Sequence, residues 1–320
     1  MLIANLFWPI IVLVMYMLPT ANIQIGFIQV YLLSTPHRWV TLIPVFFDKK
    51  NFRQQPGRFF AIGFSLLILG LGLIGLGSTF PHPADPGNPL IYFMMLDYAW
   101  NAWHFASQHA RISRIYGRKI WPGDSTSKGN KEKSNIRIVV LWVFIRVAVR
   151  LRPESFPETI LPWLSLVDLL MLIPMLRLLI SEWGRGTACS RLLYLSSVFG
   201  LYSALLLGIH IASDAVFSGL LVAQAVFHAV EYLAIIGWDM HRKTPQAIWG
   251  FLAPRAAIIV ILFSLVIGFA NYAVAAQSIY AWTLITLLVS LLHYGYDGMI
   301  WKSPRRSRQT AAVIVGGAAP

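Results

Sequence analysis

Apolar runs of about 20 residues, separated by short polar or charged connections, recur along the whole chain. They fall at 2–18, 22–47, 58–78, 88–112, 158–180, 191–211, 213–237, 255–275 and 279–301. A helix rises about 1.5 Å per residue, so runs of this length match the hydrocarbon thickness of a bilayer. The pattern predicts an all-α, polytopic integral membrane bundle of about nine or ten transmembrane helices, with residues 1–302 as a single transmembrane domain. The first run has no charged segment before it and is followed by many more, so it reads as a helix and not as a cleaved signal.

Segment 136–152, IRIVVLWVFIRVAVRLR, is short and carries Arg146 in its middle. Taken alone it reads as an interfacial amphipathic helix. Charge placement argues otherwise. Basic connections at Lys49/Lys50/Arg53/Arg58, from Arg111 to Lys133, at Arg242/Lys243 and from Lys302 to Arg308 belong on the cytoplasmic side, while 79–89 and 275–280 hold no Lys or Arg. Keeping all four basic regions together requires an even number of crossings between 133 and 242, so 136–152 crosses or another segment is re-entrant. The expectation is ten helices in a cell (inner) membrane with both termini cytoplasmic. Residues 117–135 form a basic cytoplasmic loop, and 303–320 form a basic, disordered cytoplasmic tail.

Composition agrees with a membrane chain, being 57% hydrophobic and only 12% charged. A net charge of +13 would suggest nucleic acid if it lay on one soluble face. Here it lies in loops and the tail, so the partners expected are membrane lipids and no nucleic acid. The single cysteine, Cys189, excludes an internal disulfide and a thiolate metal cluster.

Four histidines interrupt four different runs at matching depth. His37, His104, His228 and His293 stand 9 to 11 residues before the borders at Asp48, Arg114, Trp238 and Lys302, or roughly 15 Å from one face. Under the ten-helix topology all four borders face the same side. Ionisable side chains at that depth are costly and mark function, and neutral imidazole is a common metal ligand. Polar neighbours accompany them at helical spacing: Gln224, His228 and Glu231; Ser290, His293 and Asp297; Asp97, Asn101, His104 and Gln108. Asp97, Glu231 and Asp297 fit either as partners that orient the imidazoles or as carboxylate ligands of a two-iron centre.

His109 lies five residues beyond His104, turned about 140° around the helix, and is a further candidate ligand or a wall residue. His210 with Asp214 reads as a local pair near the opposite face, His82 as part of an exposed turn and His241 as an interfacial charge. The string from Gly70 to Gly75 matches a dinucleotide fingerprint letter for letter, but no strand precedes it. Gly63, Gly70 and Gly77 instead mark a smooth face for close helix packing. No nucleophile elbow, phosphate loop or zinc-type cysteine set occurs.

The Pro36-His37 and His104-Phe105 dipeptides, followed in chain order by His228 and His293, resemble the motifs of the Brp/Blh membrane family of β-carotene-cleaving dioxygenases. The resemblance covers a few residues around each histidine. It implies iron held by four histidines from separate helices. Departures are the Arg38-Trp39-Val40-Thr41 continuation of the first motif, Glu231-Tyr232 where the family has a second histidine, and the 297–302 ending. The reading is a non-haem Fe(II) oxygenase with one or two ions, using dioxygen on a lipid-soluble isoprenoid, carotenoid or acyl substrate, with Trp39, Trp100, Trp103, Phe105 and Phe227 lining the cavity. Alternatives are a haem-b electron-transfer protein and a proton-coupled transporter using His/carboxylate pairs.

Overall fold

Burial divides the helices into an inner and an outer set. The computed structural model describes residues 6–18, 21–47, 56–77, 80, 87–120, 126–153, 156–184, 189–211, 213–242 and 253–300, and no strand occurs among them. The described helices are α1 (Trp8–Met17), α2 (Ala21–Phe27), α3 (Thr35–Trp39), α4 (Leu42–Phe47), α5 (Pro56–Gly77), α6 (Pro89–Ile120), α7 (Thr126–Leu151), α8 (Leu161–Gly184), α9 (Cys189–His210), α10 (Asp214–Arg242), α11 (Ala256–Gln277) and α12 (Ile279–Ile300). The expected tail 303–320 and His82 lie outside the described residues, as does part of the 117–135 loop.

Six of these are long and apolar enough to cross a membrane: Pro56–Leu76, Glu158–Gly184, Cys189–His210, Asp214–Met240, Ala256–Gln277 and Ile279–Met299. More than half of the α9 and α10 spans is buried inside the bundle, against 11 to 22% for α5, α8 and α11. The outer three expose Phe64, Leu67, Leu71, Trp163, Leu169, Ile180, Ile258, Ile261 and Phe269, a surface suited to lipid and far too apolar for water. The expected runs 2–18, 22–47, 88–112 and 136–152 fall short of that standard for identifiable reasons. The helix at 8–17 is short, the 22–47 run is broken, and α6 and α7 carry polar residues that they turn inward.

The break in 22–47 is a π-helical stretch, Ile28–Ser34, between α2 and α3. Pro36 brings no N–H, so no ordinary helical ladder can continue through it, and the extra residue of a π turn shifts the register. Thr35 Oγ1 donates to the Val30 carbonyl at 2.8 Å and Gln29 Nε2 to Ser34 Oγ at 2.7 Å, supporting the wide turn. Helix α11 packs directly on it through Gly268, where a methyl group would stand 2.5 Å from the Tyr31 carbonyl oxygen. Close backbone approach of this kind requires the missing side chain. Gly63 and Gly70 of α5 similarly face Tyr296 and Leu288 of α12, and Gly295 faces Ile62.

Helix α7 buries one face inside the bundle. Val139, Val140 and Val143 are fully buried and pack with Ala102, Ala106 and Ala110, one small-residue face of α6. Arg146 stays inside because Asp168 of α8 meets it. Its Nε lies 2.9 Å from both carboxylate oxygens, and Trp142 Nε1 and His210 Nε2 reach the same carboxylate at 2.7 and 2.9 Å. The expected His210–Asp214 pair is therefore replaced: His210 takes Asp168, and Asp214 takes Arg150 at 2.9 Å. Tertiary approach overrides i, i+4 proximity because Asp168 is buried and needs every donor available. A second ion cluster ties α7, α8 and α9, with Arg191 at 2.6 Å from Glu132 and 3.3 Å from Glu182.

Gly268→Ala is expected to destabilise the detergent-solubilised protein by about 1–3 kcal/mol through backbone overpacking. Gly72→Ala, whose methyl meets nothing within 4 Å, should leave the melting temperature unchanged. Asp168→Ala strands a buried guanidinium and should cost about 3–5 kcal/mol, most of it recovered by adding Arg146→Met. Equal losses in the single and double variants would show that the stranded guanidinium carries none of the cost.

Candidate metal centre

Four helices that are distant in sequence deliver one imidazole each to the interior. His37 comes from α3, seated against α10, α11 and α12; His104 comes from α6, His228 from α10 and His293 from α12. They are 4%, 6%, 0% and 1% exposed, so each has surrendered its hydration.

The rings close a circuit. Centroid separations run 5.1 Å from His37 to His228, 5.0 Å from His228 to His104, 4.7 Å from His104 to His293 and 5.2 Å from His293 back to His37. With a metal–nitrogen bond of about 2.1 Å and about 1.1 Å more to the ring centre, neighbouring imidazoles on one ion have centroids about 4.5 Å apart at 90° and about 5.2 Å apart at tetrahedral angles. The observed spacings fall in that interval or at its edge. His293 Nε2 and His104 Nε2 face one another at 3.1 Å, the separation that adjacent nitrogens on a shared ion would have.

As the side chains stand, among the described residues no group of three or more His, Cys, Asp or Glu is arranged to hold a metal ion. The ring centres are at ligand spacing; the nitrogens do not all converge. His228 shows why, since it lies flat on Phe105 with centroids 3.6 Å apart and planes at 15°. Both nitrogens of His228 and Nδ1 of His37 are buried without a hydrogen-bond partner. Orphaned nitrogens at zero exposure are costly, and a bound cation is one species that would satisfy them.

Hydrogen bonds outside the circuit fix the rings that are oriented. Thr41 Oγ1 meets His293 Nδ1 at 2.5 Å and the Tyr232 hydroxyl at 3.0 Å, and Tyr232 donates to Asp297 Oδ1 at 3.1 Å. The second Asp297 oxygen accepts from Arg111 at 2.9 Å and lies 3.7 Å from His104 Nδ1. Tyr294 packs on His104 at 5.2 Å and on His293 at 5.6 Å, while its hydroxyl reaches Asp97 and Asn101 at 3.2 and 3.1 Å. Thr41, Tyr232 and Tyr294 were absent from the candidate set. Their signal was present, because Thr41 and Tyr232 each follow a histidine by four residues.

The remaining candidates separate from the ring. His109 has Tyr194 and Tyr202 hydroxyls at 3.1 Å on its two nitrogens and Glu231 at 3.3 Å, in a cluster with Gln108, which donates to both Glu231 and the His228 carbonyl. Phe227 belongs to that cluster, 5.4 Å from His109. Trp100 and Trp103 are about half exposed on the outer surface; Trp100 stacks on Tyr294 and Trp103 carries Arg137 at 4.4 Å over its ring. Trp39 is half-buried, with its Nε1 buried and unpartnered. The side chain of His241 and the borders Asp48 and Lys302 lie outside what is described.

Comparison with protein-family models, curated proteins and solved structures finds no match.

Asp297→Ala removes the acceptor shared by Tyr232 and Arg111 and should destabilise the protein by about 1–3 kcal/mol, with Asp297→Asn losing less. A melt unchanged by Asp297→Ala would mean that these contacts are not made in the folded protein.

Proposed function

We propose that this protein is a membrane-embedded non-haem iron oxygenase acting on a lipid-soluble isoprenoid, carotenoid or acyl substrate. The observation that carries this reading is the closed circuit of four buried imidazoles at ligand spacing. His37, His104, His228 and His293 would hold the ion; modest rotation of the rings, His228 above all, would turn their nitrogens to a common point. All-nitrogen coordination suits Fe(II), which when bound supplies the activation of dioxygen.

The chain's own residues supply orientation and exclusion of water. Thr41, itself bonded to the Tyr232 hydroxyl, engages His293 at Nδ1, which presents Nε2 to the interior of the circuit. Asp297 beside His104 Nδ1 favours the same tautomer there. Phe105 covers one face of His228. A lipophilic substrate would enter from the bilayer, between helices that are already apolar outside.

Four nitrogen ligands from four helices is also what the short-motif likeness to the Brp/Blh family implies. No adjacent pair of rings is spaced as an axial pair on one haem iron, which sits about 6.4 Å apart with a porphyrin between, against 4.7 to 5.2 Å here. The buried position of α7 around Arg146 favours the ten-crossing topology with both termini cytoplasmic. That topology also puts Arg111 and Arg114 on the positive side.

Elemental analysis of purified protein in mild detergent should find one iron per chain and no Soret band. His104→Ala and His228→Gln should lose the iron while remaining folded by thermal melt. Folded wild-type protein without metal, or with a strong Soret band, overturns the reading.

A further inference from the structure

A cavity of about 350 Å³ opens between the π-helical stretch with α3, α6 and α12, within the size range of small-molecule sites. Its walls include Ser34, Thr35 and Arg38 around His37, Asp97 and Asn101 before His104, and Thr283 and Thr286 before His293. Tyr294 joins it to the histidine circuit, with its hydroxyl on Asp97 and Asn101 and its ring against His104 and His293.

Buried polar atoms lacking partners gather on this cavity's lining. Arg38 Nε, Trp282 Nε1 and Thr286 Oγ1 have no hydrogen-bond partner, and all three residues line it. Two of these atoms only donate, and the third can donate. Three buried donors left open in one place call for an acceptor from outside the chain. Arg38 and Asp97 on the same walls cancel in charge, so the group that fits is neutral. The rest of the lining, with Val30, Met94 and Leu287, suits a hydrocarbon body.

We infer that this cavity binds the oxygen-bearing end of an otherwise apolar molecule, a neutral hydroxyl or carbonyl held by Arg38, Trp282 and Thr286 and set beside the histidine circuit. This names the substrate class for the oxygenase reading, and rests on that reading only in calling the bound molecule a substrate.

The test uses four probes of one sesquiterpenoid skeleton: farnesene, farnesol, farnesal and farnesoic acid. Thermal shifts are titrated on the purified protein in detergent, with iron measured on the same sample. Farnesol or farnesal should bind at least about tenfold more tightly than farnesene. Trp282→Phe with Thr286→Val should erase that preference while leaving the ligand-free melt unchanged or higher, because the variants remove unpaired buried donors. Equal binding of farnesene, binding of farnesoic acid alone, no binding, or an undiminished preference in the double variant overturns the inference. Iron-loaded protein that binds none of the probes sinks this site and leaves the oxygenase reading standing; iron-free protein that binds farnesol does the reverse.

Discussion

Hydrocarbon offers no hydrogen bonds, so each polar atom carried into this bundle must find its partner inside the protein or in something the protein binds. Most of them do. Asp168 collects Arg146, Trp142 and His210; Arg191 joins Glu132 and Glu182; His109 sits between two tyrosines and Glu231. Such closed clusters are glue between helices that lipid cannot drive together by itself. Of the twelve buried side-chain atoms left without partners among the described residues, three belong to His37 and His228 and three to residues of the adjoining cavity. Half of the unmet demand thus falls on the circuit and its adjoining cavity.

Delivering His37 to that region takes a local irregularity. A regular helix through 22–47 would meet Pro36 with a carbonyl and no N–H to answer it. The π-helical stretch absorbs the mismatch, and Gly268 lets α11 close over the exposed Tyr31 carbonyl. The features that spoil this segment as a simple membrane span are thus those that position its histidine. Helix α6 behaves comparably: Asp97, Asn101, His104 and Gln108 lower its hydropathy because they face inward to the ring and the cavity. The helices most readily recognised as spans, α5, α8 and α11, contribute lipid-facing surface and none of the four rings.

Sequence spacing picked out the four histidines that the structure gathers, since distance from a polar border is a one-dimensional quantity that a helix converts directly into height. The all-helical class and the glycine face of α5 were legible for the same reason, resting on periods of 3.6 and 7. Azimuth was less legible. His109 follows His104 by five residues, and only the positions of Tyr194 and Tyr202, 85 and 93 residues away, show that it faces a different cluster. The Asp168–His210 contact was hidden because a nearer carboxylate, Asp214, lay at attractive spacing. Thr41 and Tyr232 follow His37 and His228 by four residues, but their partners are His293, Asp297 and each other, contacts between helices that spacing along one helix does not carry.

Tyr294 makes the cavity and the histidine circuit one mechanical unit. Its ring fills space against His104 and His293, so it cannot shift without moving them, while its hydroxyl is committed to Asp97 and Asn101 on the cavity wall. Close packing leaves such a side chain few alternative rotamers. His228, by contrast, has no hydrogen-bond partner on either ring nitrogen and is held by packing, face-on against Phe105 and edge-on to His37 and His104. His104 and His293 form the oriented side of the circuit, with Asp297 and Thr41 beside their outer nitrogens.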